Sequence, residues 1–346
     1  MKFDFAIGNP PYQDESVGEQ KQFAPPVYDK FMDAAYTIAH KVELIHPARF
    51  LFNAGGTPKE WNRKMLEDEH FKILLHEQNS GNVFANADIT GGIVVSYRDD
   101  ELNFGSIGTY TAFSLLNSIL NKVKKHKDFS SFSKIISNRG LYKYSKKVYS
   151  DCPEEMAKNT DARIGSSAFE RTASLFFENK PNNKFEYVQF FGLLKGKRTY
   201  RWFRRDYFNP VKSFEKYKVL VPKANGSPAL GEASLTPVIG NPVIANPYVG
   251  HTETFITIGC FDSKDEANAC YKFVCSKFAR VMLGILKITQ DNSAEKWTWV
   301  PMQDFTDKSD IDWSKSIKEI DQQLYKKYNL SDEEIDFIET KVKEMD

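Results

Sequence analysis

The sequence predicts an α/β unit at the front of the chain, followed by a larger and less regular α+β region, and three observations carry that division. From residue 1 to about 100, short apolar runs alternate with helical periodicity, the pattern of a parallel sheet with crossover helices. From about 130 to 305 the pattern is irregular and rich in aromatics, glycine and proline. From Asp312 a pair of helical stripes closes the chain. The expected organisation is therefore 1–105, 106–306 and 307–346.

In the first part, Phe5 to Ile7 reads as a buried strand ended by Gly8. A polar loop runs from Gln13 to Ala24, and a helix from near Pro26 places Val27, Phe31, Ala35 and Ile38 on one face. Lys41 to His46 is the next strand. Thr57-Pro58-Lys59-Glu60 reads as a capping box with proline at the first helical position, followed by Trp61 and Met65 on the apolar side. Phe71–Leu75 and Gly92–Tyr97 complete four strands. A spacer helix near Thr111 to Lys125 carries Phe113, Leu116, Ile119, Leu120 and Val123 at helical spacing and ends in a lysine-rich, solvated turn.

Further on, Lys216–Pro222 is a strand leading into a tight turn over Lys223 to Ser227. Asn246-Pro247-Tyr248 reads as a turn with no apolar strand ahead of it. Phe255–Phe261 is a strand, and Ser263 to Glu266 caps a helix with a core stripe of Ala267, Cys270, Val274, Phe278 and Val281. In the tail, Trp313, Ile317, Ile320 and Leu324 form one stripe. Ser331 and Glu334 cap the next, with Ile335, Ile338 and Val342.

With 346 residues, 41% apolar and 14% aromatic, the chain supports about two packed domains. A net charge of +1 gives no whole-molecule attraction to nucleic acid, so any such affinity must come from a local patch. Cys152, Cys260, Cys270 and Cys275 form no Cys-x-x-Cys pair, as expected of reduced cysteines in a cytoplasmic protein. No metal-ligand spacing and no phosphate-binding loop is present, and no metal is expected. No apolar run approaches a membrane span and no signal peptide leads the chain, so a soluble protein without a membrane partner is expected.

The chemistry-bearing stretch is Gly8-Asn9-Pro10-Pro11-Tyr12, between the first strand and the first helix. Neither proline can donate a backbone hydrogen bond and both fix φ near −65°, so the Pro10 carbonyl is held and left free. Asn9 adds an amide oxygen, and Tyr12 an aromatic face. Two acceptors beside a flat ring suit an exocyclic amine on a planar heterocycle. If each acceptor takes one hydrogen, the nitrogen is drawn towards tetrahedral geometry, and positive charge developing on it is stabilised. A nucleobase offers its amine in this way only outside the helical stack.

Asn-Pro-Pro-Tyr after a strand resembles the catalytic motif of amino-methyltransferases that use S-adenosylmethionine. The likeness is above all to the gamma-type adenine-N6 DNA methyltransferases of type II and IIG restriction–modification systems. The resemblance implies a partial Rossmann-like methyltransferase sheet in 1–105 and an α+β target-recognition domain in 106–306. It implies a methyl group passing from S-adenosylmethionine to N6 of a flipped adenine in double-stranded DNA. Asn9 and Pro10 would orient the amine and Tyr12 would hold the base. Pro47-Ala48-Arg49-Phe50-Leu51 stands where the family has a Pro-Ala-hydrophobic segment, with Arg49 and Phe50 expected to pack beside the site. Phe84 stands where the family has an aromatic against the base, so Tyr12 and Phe84 would sandwich the adenine.

The family's glycine-rich cofactor turn and acidic ribose ligand lie upstream of this motif. Here eight residues precede Asn9, and no Gly-x-Gly elsewhere follows a strand and opens a helix. By the resemblance, the chain is the C-terminal part of a larger methylase. Its cofactor site would be completed by a missing N-terminal half or a companion polypeptide.

The strongest nucleic-acid signal is the stretch from Lys195 to Arg205. Lys195, Lys197, Arg198, Arg201, Arg204 and Arg205 are interleaved there with Tyr200, Trp202 and Phe203. These cations can neutralise phosphates and read guanine edges; the same pattern also suits a strand with a charged outer face. Segments around Val221 to Gly226, Lys277 to Arg280, and Thr289-Gln290 resemble recognition regions of restriction–modification methylases. They make Lys287, Thr289, Gln290 and Asn292 further candidate DNA contacts. Glu339-Thr340-Lys341 resembles the end of a nuclease motif but falls inside a helix without an acidic partner strand. Three readings stand: a DNA methyltransferase, a DNA-recognition fragment or subunit without its own catalysis, and an amino-methyltransferase acting on RNA or protein glutamine.

Overall fold

The computed structural model describes residues 2–14, 24–53, 55–85, 89, 91–137, 139–209, 211–224, 230 and 235–345. It divides into two compact units, Met1–Asn117 and Ser118–Asp346, each mixing helices with sheet. The division falls later than the expected 105, and the tail beyond 307 belongs to the second unit. Most of the Gln13–Ala24 loop, and the Lys223–Ser227 turn beyond Ala224, lie outside the described residues.

In the first unit the order is β1 (Phe3–Gly8), α1 (Tyr28–Ile38), β2 (Ala39–Pro47), α2 (Lys59–Glu67), β3 (Phe71–Glu77) and β4 (Ile93–Asp99). They form one sheet in the order β1-β2-β4-β3. β1 and β2 pair in parallel through the α1 crossover. β4 runs antiparallel to both its neighbours, which corrects the all-parallel expectation. The cause is the connection between β3 and β4. Among the described residues it holds only a short helical turn at Ser80–Asn82 and the pair Gly91-Gly92, with no crossover helix of the kind a parallel pairing needs. Gly92 has φ +81°, and a Cβ there would stand 2.3 Å from the Glu77 carbonyl oxygen, so only glycine fits that return.

α1 and α2 pack on one face of this sheet. Tyr28, Met32, Trp61 and Met65 meet Ala39, Val42, Leu44, Phe50, Phe71 and Val94 in a single core. β1 is an edge strand, and the expectation that it is buried is corrected. Ala6 pairs with Val42 on the core side, whereas Phe3, Phe5 and Ile7 lie on the opposite face and are 68, 62 and 77% exposed. α1 is also rotated from its expected face. Tyr28 and Met32 are buried, while Phe31 and Ile38 are exposed, because Tyr28 stacks on His46 of β2 at 5.7 Å. α2 begins without a capping box: Pro58 is the N-cap, and the Thr57 hydroxyl donates instead to Asn62 Oδ1 at 2.6 Å.

α3 (Ser114–Lys125) carries the chain into the second unit. Its Lys122 pairs with Glu334 at 2.7 Å, so this part of the lysine-rich end is not merely solvated. Three short helices, α4 (Lys146–Asp151), α5 (Pro153–Met156) and α6 (Ala168–Arg171), precede the strands. These are β5 (Phe176–Phe177), β6 (Tyr187–Leu194), β7 (Lys197–Arg204), β8 (Tyr217–Pro222), β9 (Val243–Ala245), β10 (Val249–His251) and β11 (Phe255–Phe261). They make two sheets, β10-β6-β7-β5 and β11-β8-β9.

An aromatic core fills the space beside the first of these sheets, with Phe176 stacked on Phe203 at 4.5 Å and Phe190 edge-on to Phe203 at 5.2 Å. Asn246 to Tyr248 is a turn, as expected, but the short apolar strand β9 does precede it. The helix after Ser263 is two helices, α7 (Lys264–Cys275) and α8 (Lys277–Gly284), broken where Ser276 takes extended backbone and caps α8. α9 (Ile317–Lys327) and α10 (Asp332–Lys341) close the unit, each opened by a full capping box.

Candidate functional site

β1 delivers the motif at its C-terminal end. Beyond Gly8 the chain leaves the sheet, and Asn9 stands exposed. The Asn9 side chain makes no hydrogen bond among the described residues, and no described backbone amide donates to the Pro10 carbonyl. Tyr12 is tied down from the other side: its carbonyl accepts from Val27 N at 3.2 Å, and Asp14 N donates to Pro25 O at 2.9 Å. The Tyr12 ring is half-buried, and its hydroxyl is buried with no partner among the described residues. Burial pushes that phenol above its ordinary pKa, so it stays neutral.

A cavity of about 230 Å³ opens beside Tyr12. Its wall is built from the carboxyl ends of β1 and β2 and the start of α1: Tyr12, Pro26, Tyr28, Pro47 and Arg49, with Gly55 and Ile89. In α/β sheets this is the place where ligands bind, because loops there leave a crevice open. The volume equals about eight waters at roughly 30 Å³ each, enough for a planar bicyclic ring. Behind the wall, Phe50 is fully buried between His46, Trp61 and Phe71, at 5.5, 5.1 and 6.3 Å. His46 is buried as well, its Nε2 2.7 Å from the Ser96 hydroxyl, and burial holds its pKa down to about 4. Burial likewise pushes the Tyr28 phenol up to about 12. Among the described residues the lining therefore offers one cation, Arg49, and otherwise uncharged groups at neutral pH.

The expected site residues divide. Tyr12 lines the cavity; Asn9 and Pro10 directly precede it on the same loop without lining it. Phe84 does not line it either. It is half-buried after the Ser80–Asn82 turn, with its amide on Ser80 O at 2.9 Å, and Ile89 forms the wall on that stretch of chain. Phe50 packs behind the site as expected, but Arg49 is exposed and reaches the lining itself. Sequence reasoning missed Tyr28 and gave Arg49 a packing role alone. The signal for Tyr28 was its place just after Pro25-Pro26, at a helix start facing the end of the next strand.

The basic stretch forms the second strand of a hairpin in the second unit. Lys195 and Gly196, with φ of 49° and 74°, make the two-residue turn between β6 and β7. Lys195, Lys197 and Arg198 are exposed, and Arg201 is half-buried. Arg204 corrects the expectation of a DNA contact. It is only 8% exposed, sits 3.6 Å over the Phe185 ring, and bonds Asp206 at 2.8 Å and Asp151 at 3.2 Å. Its charge is already satisfied inside the protein. Arg205 lies over Phe208 and Phe214 at 4.7 and 5.0 Å.

Lys287 and Asn292 are also buried. Asn292 accepts from Trp297 Nε1 at 2.8 Å, while Thr289 and Gln290 are exposed. Glu339 is engaged by the Tyr325 hydroxyl at 2.9 Å and by Lys277. All four cysteines are free thiols. Among the described residues no cluster of three His, Cys, Asp or Glu side chains could hold a metal ion, and no helix is long and apolar enough to cross a membrane.

Residues 1–84 match the family described as Eco57I restriction-modification methylase. Among solved structures, the type IIG restriction endonuclease BpuSI aligns at 10% sequence identity with a TM-score of 0.34. That alignment covers 88% of this chain and 40% of the BpuSI chain, so this chain spans less than half of that enzyme. No curated protein matches the sequence.

Proposed function

We propose that this protein is the amine-gripping and DNA-recognising part of a site-specific adenine-N6 DNA methyltransferase of a restriction–modification system. One observation carries the reading: an Asn9 amide and a Pro10 carbonyl, neither partnered among the described residues, stand directly before an aromatic that walls a base-sized cavity. The match of residues 1–84 to a restriction-modification methylase family supports it. In this reading Asn9 Oδ1 and the Pro10 carbonyl accept the two hydrogens of the adenine amine. The extruded ring lies against Tyr12, with Arg49 at the rim. Both acceptors are neutral and already in place, so developing positive charge on the nitrogen meets dipoles that need no reorganisation. Lys195, Lys197 and Arg198, with Arg201 and Arg205, are the proposed phosphate contacts on the hairpin.

S-adenosylmethionine is the proposed methyl donor, and the described residues do not fit it as a complete site. β1 is the sheet edge, its outer side carries no further strand or turn among the described residues, and the face bearing Phe3, Phe5 and Ile7 is open. The first unit would thus be the back part of a Rossmann-like sheet, and a companion polypeptide or an upstream half would hold the donor. This observation also favours the second reading, a recognition subunit without catalysis of its own.

The test is methyl incorporation from labelled S-adenosylmethionine into unmodified genomic DNA by the chain together with the polypeptide that holds the donor. Asn9→Ala is expected to lower it at least about a hundredfold, with duplex affinity changed less than about twofold. Equal loss of both in a folded variant overturns this division of roles. A wild-type chain that binds duplex but never methylates it, even with the donor-holding polypeptide present, leaves the recognition-subunit reading. Tight binding to structured RNA and none to duplex overturns the choice of DNA.

A further inference from the structure

A second polar cavity, of about 250 Å³, lies within the second unit and shares no lining residue with the cavity beside Tyr12. Four cations line it, Arg139, Arg163, Arg171 and Lys223, against two carboxylates, Asp161 and Glu253. The formal balance of the lining is therefore +2 (four less two). Glu253 is buried and serves three of the cations at once: Arg139, Arg163 at 3.2 Å and Lys223 at 3.5 Å. Asp161 holds Arg163 through its Nε at 3.0 Å, and that guanidinium draws the Asp161 carboxyl down to about 2. Arg171 is exposed and makes no ion pair among the described residues. The Ser166 hydroxyl is buried on the same wall, also with no hydrogen-bond partner among the described residues.

A purely structural ion network would match its charges and bury no idle donor. This lining does neither. Surplus guanidinium charge beside an unused hydroxyl suits a tetrahedral anion with several acceptor oxygens, because arginine binds phosphate through paired N–H donors. Apart from Ala168 and Gly165 the lining is polar, which leaves little purchase for an apolar ligand.

The cavity also adjoins the basic hairpin. Lys195 N at the hairpin turn donates to Glu170, next to Arg171, at 2.8 Å. Thr252 N, next to Glu253, donates to Phe191 O of β6 at 3.0 Å.

We propose that this cavity is a phosphate-ester subsite in which Arg171 and Ser166 meet the anion, while Arg139, Arg163 and Lys223 around Glu253 hold the rim positive. Two sources carry that chemistry, a nucleic-acid backbone and a free nucleotide; the backbone source rests on the DNA reading above.

The experiment uses the full chain and the variants Arg171→Ala and Ser166→Ala, with Lys308→Ala as a surface-charge control. Neither test side chain is paired among the described residues, so neither variant is expected to unfold below the wild-type temperature. For a backbone phosphate, Arg171→Ala weakens binding to a labelled duplex roughly tenfold and flattens the slope of log K against log salt by about 0.9. Ser166→Ala weakens it less, and the control changes neither quantity.

For a free nucleotide, AMP or inorganic pyrophosphate raises the melting temperature of the wild type but not of Arg171→Ala, and duplex binding is unaffected. If neither variant alters duplex binding or the pyrophosphate response, the subsite is overturned while DNA recognition stands. A chain that binds no duplex yet keeps the Arg171-dependent pyrophosphate response overturns the DNA reading and retains the subsite.

Discussion

Tyr12 keeps its hydroxyl buried with no partner among the described residues, and an unpaired hydroxyl costs about 1–3 kcal/mol. Its ring, facing the cavity, is what a base would meet. Tyr12→Phe is therefore expected to leave stability unchanged or raised by up to about 1 kcal/mol, with duplex affinity intact. Tyr12→Ala removes the stacking surface and should cost about 1–3 kcal/mol of binding, read from urea unfolding and duplex titration respectively. His46 behaves differently because its charge state is at stake. Burial lowers its folded pKa to about 4, so between about pH 6.5 and 4 the unfolded chain binds the extra proton. The stability from neutral His46 is full above about pH 6.5 and drains as pH falls towards 4, by about 3 kcal/mol in all. Urea unfolding of wild type between about pH 7 and 4.5 should show that loss. His46→Gln should start lower at neutral pH and lose less on acidification.

Helix α8 depends on an acceptor borrowed from another element. Ser276 caps it through Ala279 N at 3.1 Å, and Asp321 of α9 accepts from Lys277 N and Phe278 N at 3.0 and 2.9 Å. Burial pushes the Asp321 carboxyl up to about 6, so this acceptor carries a desolvation cost that its two hydrogen bonds offset. Asp321→Ala would strand two amides at a buried helix end, at about 3 kcal/mol. Asp321→Asn keeps one acceptor and removes the buried charge, so it should cost less. Chemical denaturation of both variants checks the order; equal losses would mean that the α8–α9 packing, not the cap, sets the cost. The capping boxes of α9 and α10 are of another kind. Each is written in four consecutive residues, Ser316 to Glu319 and Ser331 to Glu334, and the second is legible from the sequence alone.

At the scale of the molecule, the first unit's sheet is covered by helices on one face and ends at β1. If the donor's holder lies elsewhere, S-adenosylmethionine should leave the melting temperature of this chain unmoved. A ligand that binds the folded state, present at about a hundred times its Kd, would stabilise it by about 2.7 kcal/mol. A clear rise in thermal unfolding would show that these residues suffice, and the companion proposal would fail.

What the sequence determined by itself is what neighbouring residues decide. The Asn9-Pro10-Pro11-Tyr12 turn out of the first strand, the Ser263 and Ser331 caps and the four strands of the first unit each rest on backbone preferences or hydrogen bonds spanning a few positions. The tertiary structure decided whatever depends on partners far along the chain. It set β1 at an edge and reversed β4. It took Arg204 out of solvent through Asp151, left Phe84 off the cavity wall, and gathered Arg139, Arg163 and Lys223 around Glu253 with Arg171 beside them. The physical reason is that burial and ion pairing are properties of a place in space, and a residue's own neighbours in sequence do not fix which distant groups will share that place.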